Sequence, residues 1–596
     1  MRSAFLLAFV LAVPVMAQRQ SPLAPLVAES SAAILTHLAD PSTSAPVTDA
    51  DRLTRAVVLA MSERDADALV DAESAARIVA IAKRLAPGDA RALAKLAMEE
   101  PRLVRRFVFQ FDGPRDDPVE ATRILFDLVD RFGAERVAEF DSLAVAIALV
   151  HDGFESRRVN ENTVRTDEPG RLFAYFADNA GSLQIDPRRL PSDVLVFLVS
   201  ATEHVDQLEW ARATYGRDRN HGERFFEIQY DIEHFRTGQP KAVSLAPRYC
   251  IQAIRELGGV CADQAYFAEH VAKANGVPAA YMRGRSGEVS HAWLGYLRVG
   301  RGGYSWDFNA GRYDAYKGVR GATMDPQTLE IVTDGEMAMR ASSIRLSDDD
   351  RWQAEAFAIA ADRVAGMSKS EADELVGEVF EGRRAERTGD AADRVELLRR
   401  SVERRPGDPE AWRAFARLAS TGDVQSKTID TWLTAFERSG GRSSPDMLAD
   451  IVEMLLGAVP ETRGKIDVLE WAMPKLRGRS DLQAWVRLKQ GEVFEAAGDR
   501  DNAWRAYDDV ARRFLNEGPF AVEAIDRMLG MLERADRTGP DLELLKRSFA
   551  AAQPPFALGD FRRQSNWYQI GRRYAASLER AGRSREAVDV QRQLGG

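Results

Sequence analysis

Apolar residues recur every three or four positions through two long stretches of the chain, from about Ser30 to Val199 and from about Leu346 to the end. That spacing gathers them on one face of a helix, so both stretches are predicted to be helical. Ala76, Ile78, Val79, Ile81, Ala82 and Leu85 form one such face, and Ile124, Leu125, Leu128, Val129 and Phe132 form another. Pro87-Gly88 and Asp117-Pro118 punctuate the pattern. From about Leu208 to Thr333 the texture changes. Glycine is dense between Gly276 and Gly321, and aromatic and β-branched residues alternate with polar ones, which predicts strands.

The resulting expectation is a multidomain, mainly α chain. A helical N-terminal region (18–205) precedes a central α+β domain (206–335), and a second helical region (340–596) follows. The segment 1–17 is expected to be an address. Arg2 supplies a positive charge, Ala4 to Val15 is apolar apart from Pro14, and Val15-Met16-Ala17 has the small residues of a cleavage site. A signal peptide cleaved after Ala17 predicts a secreted or periplasmic protein. The alternative is an uncleaved N-terminal anchor. The apolar run falls short of the about 20 residues of a membrane helix, and no later window comes close, so no stable membrane insertion is expected.

Composition narrows the class. A length of 596 residues gives about four units at ~150 residues each. With 45% hydrophobic and 29% charged residues the chain is globular rather than disordered. The net charge of −10 argues against a nucleic-acid partner, which needs a basic face. Two cysteines, Cys250 and Cys261, are too few for a disulfide scaffold or a multi-cysteine zinc site.

The candidate chemistry lies in the central region. A helix over Pro247–Leu257 should end at Gly258-Gly259. A second should run from about Cys261 to Asn275, where Asn275-Gly276 and Pro278 stop it. Cys261 then sits in a first helical turn, where the dipole favours the thiolate. Cys250 is expected to be a buried apolar residue within the preceding helix; a disulfide between the two cysteines is the alternative. Strands are expected from His291 to Leu297 and from Tyr304 to Asn309, joined by a turn at Gly300-Arg301-Gly302-Gly303. As an antiparallel pair centred near residue 299, they would set His291 and Asp307 nearly opposite, within one or two residues of register. A carboxylate there would orient the imidazole. Asp314 is the fallback carboxylate. The Cys261 backbone N–H, with Gln229 or Tyr230, is the candidate oxyanion donor set. His204, His221, His234 and His270 have no metal-ligand spacing, and no phosphate-binding or calcium loop occurs, so neither metal nor cofactor is expected.

Gly258-Gly259-Val260-Cys261-Ala262-Asp263-Gln264-Ala265, with His291-Ala292-Trp293 and Trp306-Asp307, resembles the transglutaminase-like superfamily over about Leu208 to Thr333. The resemblance implies a papain-like fold whose catalytic cysteine begins a helix packed on an antiparallel sheet. It implies Cys261 as nucleophile, His291 as general base and acid, and Asp307 as orienting carboxylate. It further implies cleavage or transfer at an amide bond of a protein or peptide through a thioester. Trp567-x-x-Ile570-Gly571-x-x-Tyr574, then Gly582 and Ala587, is similar to the tetratricopeptide pattern. Gly498, Ala503 and Tyr507 repeat the spacing after Trp485 and Leu488, and Gly389 to Gly422 covers 34 residues with a turn at Pro406-Gly407-Asp408-Pro409. The C-terminal region is therefore expected to be a tetratricopeptide-like solenoid with a surface for a protein partner. A non-catalytic helical-repeat scaffold carrying a relic central domain is the alternative function.

Overall fold

The structure is a computed structural model. It describes residues 23–595 apart from 47, 63–64, 154–155, 160–161, 166–167, 287–288, 302, 314–319, 439–443, 460, 519, 535–538, 555–562 and 564. The expected signal peptide lies outside the described residues, as does Asp314. No described helix is long and apolar enough to cross a membrane.

The chain is mainly helical with one small antiparallel sheet, and the helices fall where the apolar spacing predicts them. One departure is a hairpin, β1 (Ser156–Val159) and β2 (Asn162–Arg165), inside the N-terminal helical region. Four residues per strand are too few for a period of two to stand out in the sequence. Beyond it, helix α1 (Ser192–Val199) leads to the central region.

There, α2 (Ile251–Leu257) and α3 (Cys261–Ala274) precede the sheet. Its strands are β3 (Ala279–Ser286), β4 (Val289–Gly300), β5 (Gly303–Asp307), β6 (Ala322–Met324) and β7 (Ile331–Thr333), in the order β5-β4-β3-β6-β7. Helix α3 packs on β3 and β4 and is buried at every residue from Asp263 to Ala274. A helix covered on all sides must have its polar groups answered internally. Lys273 donates to Glu269 at 2.6 Å and to Ser200 Oγ at 3.0 Å, and His270 Nε2 accepts the Thr202 amide at 3.1 Å. These contacts give His270 a structural place.

The apolar core runs unbroken from Leu23 to Val486, across both expected domain boundaries. Ion pairs reinforce the seam. Helix α4 (Asp348–Arg363) sends Arg363 to Glu73 at 2.8 Å, while Asp193 of α1 takes Arg351 at 3.4 Å and also pairs with Arg405. A second core runs from Ala484 to Leu594. It begins in α5 (Ser480–Ala496) and includes α6 (Arg500–Arg513), α7 (Asn566–Arg580) and α8 (Ser584–Gly595).

The two sequence-similar hairpins close alike. Gly498 and Gly582 have φ of +78° and +73°, and the next amide reaches back five residues in each case, Asp499 to Phe494 and Arg583 to Leu578. Both turns are therefore glycine-dependent helix ends of one type. Inside the helices, Gly491 lies against the Tyr507 ring, where a Cβ would come within 2.3 Å. Gly571 lies against Phe549, where a Cβ would come within 2.6 Å. Gly571→Val should therefore overpack this core and cost about 1–3 kcal/mol. Urea unfolding should show a lower midpoint, whereas Gly88→Ala, at a position open to solvent, should not lower it.

Candidate active site

Cys261 opens α3 because the two preceding glycines let another segment come close. Gly258 has φ +77°, and a Cβ on it would stand 2.5 Å from the Gln229 carbonyl; one on Gly259 would stand 2.4 Å from the Asp263 side chain. Only glycine meets both demands. The Gly259 amide donates to Gln229 O at 3.0 Å, and the Asp231 amide donates to Gly259 O at 2.9 Å. This short parallel bridge sets Gln229 and Tyr230 beside the entry to the Cys261 turn. Gln264 Nε2 fixes the same segment by donating to Ile228 O at 2.9 Å.

Beneath the turn lies Asp263, fully buried. One carboxylate oxygen accepts the Val260 amide at 2.8 Å. The other accepts Tyr249 Oη at 2.8 Å and Lys241 Nζ at 3.2 Å. The carboxylate thus caps the helix, complements its dipole and ties it to two elements upstream.

The Ala292 amide on β4 donates to the Cys261 thiol, which brings the residue after His291 against the sulfur. His291 Nε2 lies 2.6 Å from the Gly311 carbonyl. A ring nitrogen facing a carbonyl must donate, so the neutral imidazole keeps its lone pair on Nδ1. The Tyr313 ring stacks on the imidazole at 4.7 Å and 22°, and Phe225 meets its edge at 6.3 Å. Gly311 is required here. Its φ is +81°, and a Cβ would fall 2.6 Å from the Phe225 ring.

Three expectations are corrected. First, Asp307 does not stand opposite His291. It pairs with Tyr296, while the β3 partner of His291 is Gly284. The last pair of the hairpin is Gly300 with Gly303, which centres it midway between residues 301 and 302, because β4 continues to Gly300. Moving its centre from 299 shifts every partner by twice the difference. The offset is five residues, roughly 17 Å of strand. Asp307 instead accepts Arg298 at 3.0 Å and the Asn309 amide at 2.9 Å. The chain after Asp307 returns along β4, with the Leu294 amide on Ala310 O at 3.1 Å, and delivers Gly311 to the imidazole. Second, Cys250 is not within a helix. It caps α2 in extended conformation, and both cysteines are free thiols. Third, the Cys261 thiol is not lowered. Burial raises it above the ordinary value, outweighing the amides of Ala292 and Ala262 that pull it down. Burial lowers His291, against the pull of the Gly311 carbonyl.

At neutral pH Cys261 is therefore a neutral thiol and His291 a neutral imidazole. Cys261 does open a helix and His291 does lie on a strand, as the sequence predicts. Gly311 meets His291 through its backbone carbonyl, which leaves no side-chain signature, and Tyr313 carries no motif. Among the described residues no group of three metal-ligating side chains occurs. The chain matches no protein-family model and no curated protein.

Two outcomes are expected. Alkylation of Cys261 by iodoacetamide should still accelerate above pH 9, because a raised thiol exposes little thiolate below its own pKa; quantitative mass spectrometry at the Cys261 peptide reads this. A plateau well below pH 8 would contradict a neutral resting thiol. Asp263→Asn removes the charge facing buried Lys241 and should destabilise the fold by about 3 kcal/mol, measured by chemical denaturation.

Proposed function

We propose that the chain is an exported cysteine-dependent enzyme that cleaves or transfers at amide bonds of proteins or peptides, in the manner of the transglutaminase-like superfamily. The supporting observation is the thiol of a first helical turn held against the strand residue next to a histidine whose acceptor nitrogen is Nδ1. As the sulfur attacks the amide carbonyl, His291 takes the thiol proton and then delivers it to the leaving nitrogen. The Cys261 backbone N–H, assisted from the Gln229–Tyr230 segment, meets the developing oxyanion. The resulting thioester passes to water or to an amine. Because both partners start neutral, proton transfer accompanies attack rather than preceding it. In this arrangement the Gly311 carbonyl takes the orienting role that the resemblance gives to Asp307. The tetratricopeptide-like hairpins would recruit the protein substrate.

Cys261→Ala and His291→Ala should each lower turnover by at least about a thousandfold while leaving circular dichroism unchanged. Asp307→Asn should stay within about threefold of the wild type, and Gly311→Ala should lose more than Asp307→Asn does. A glutamine peptide offered with a labelled amine separates the two outcomes of the thioester: incorporation marks transfer, and peptide cleavage marks hydrolysis. Full cellular function in both the Cys261 and His291 variants would favour the scaffold alternative instead.

A further inference from the structure

A cavity of about 450 Å³ lies along α3, beyond the turn that carries Cys261. Its lining includes Glu269 and His270, both buried, together with Tyr281, Met324, Leu329 and the exposed Arg283. The residues of α3 that line it stand five to nine positions past Cys261, roughly 7–14 Å along the helix axis. That is the reach of two to four residues of extended peptide.

The buried polar part of this lining is spent. His270 Nε2 accepts the Thr202 amide, His270 Nδ1 faces the Tyr266 carbonyl at 2.9 Å, and Glu269 holds Lys273. An occupant reaching it finds its hydrogen bonds already made, which suits an apolar group. Another lining residue points the same way. Leu329 has φ +60°, and among the described residues no other non-glycine residue has a positive φ. A glycine would sit there without strain. The turn is held by Asp325, which accepts the Gln327 amide at 3.0 Å, presents its carbonyl to the Leu329 amide at 2.9 Å, and pairs with Arg340 at 2.9 Å. Yet the Leu329 side chain stays 41% exposed, beside Met324 at 47%. A residue held at this unfavourable φ is thus left partly open to solvent.

Arg283 links the cavity to the thiol. It is the β3 partner of Ala292, the residue whose amide meets Cys261. Its side chain is exposed, and no ion pair is found for it among the described residues. A cation lining a cavity beside apolar residues is complementary to a carboxylate next to an apolar group.

We propose that this cavity is the acyl-side subsite of the enzyme and takes an apolar side chain of the peptide substrate, with an acidic neighbour on Arg283. This rests on the catalytic reading of Cys261. The test uses the full chain and peptide chloromethyl ketones, which alkylate a thiol as the C–S bond forms, chloride leaves and the thiol proton passes to His291 or solvent. Four probes carry leucine or glycine, each beside glutamate or glutamine, two and three residues before the reactive carbon. Intact mass reads the labelling rate, Cys261→Ala sets the background, and iodoacetamide gives the rate without a subsite.

The leucine–glutamate probe should label about tenfold faster than glycine–glutamine. Leu329→Gly should remove most of the leucine preference, and Arg283→Gln the glutamate preference, with iodoacetamide rates unchanged in both. Leu329→Gly should melt no lower than the wild type, since it relieves strain. Equal rates for all four probes, with Cys261 reactive to iodoacetamide, would overturn the subsite alone. A Leu329→Gly variant that melts lower would make Leu329 structural and overturn its role. A Cys261 inert to iodoacetamide at alkaline pH would overturn the catalytic reading and the subsite with it.

Discussion

A carboxylate taken wholly out of water needs its charge answered by several donors at once. Asp263 has them in the Val260 amide, the Tyr249 hydroxyl and the Lys241 ammonium, each from a different part of the chain. That arrangement fixes where α3 begins, and therefore where Cys261 stands. It also dictates the glycine before it, since a Cβ at Gly259 would collide with the Asp263 side chain. The bridge from Gln229 and Tyr230 then packs against the space so kept open. The Cys261 turn, the Gln229–Tyr230 segment and the helix cap are in this sense one assembly around a single buried charge.

The helices were legible because amphipathic spacing is a local property, and the start of α3 was legible because glycine pairs end helices. Strand register is different. It depends on where the turn closes, and a glycine-rich turn such as Gly300 to Gly303 permits several closures. Extending β4 to Gly300 was enough to carry Asp307 away from His291 and onto Arg298 and Asn309. The group that meets the imidazole is a backbone carbonyl, and its position depends on Gly311 being free of a Cβ beside Phe225. Residue type alone announces no such role. Cys250 was misplaced for a related reason: apolar alignment with Ile254 cannot distinguish a helix from its cap.

The same burial that packs α3 sets the protonation state of the site. Dipole and amide donors favour a thiolate, but desolvation acts in the opposite direction and is the larger effect on Cys261. On His291 it likewise disfavours the charged form. A resting pair of neutral groups is chemically quiet. In the proposed reaction, a substrate that supplied polar contacts to the developing charges would change that balance, so reactivity would arrive with it.

Helix α5 belongs to both apolar cores: Trp485 and Val486 are buried in the first, Ala484 and Leu488 in the second. The terminal hairpins are thus joined to the rest of the chain by a rigid rod with two packed faces. A tether would let them wander; a shared helix gives them a constant bearing. On the proposed reading, a substrate held by these hairpins would keep one bearing relative to the rest of the chain, with the length of that rod acting as a ruler.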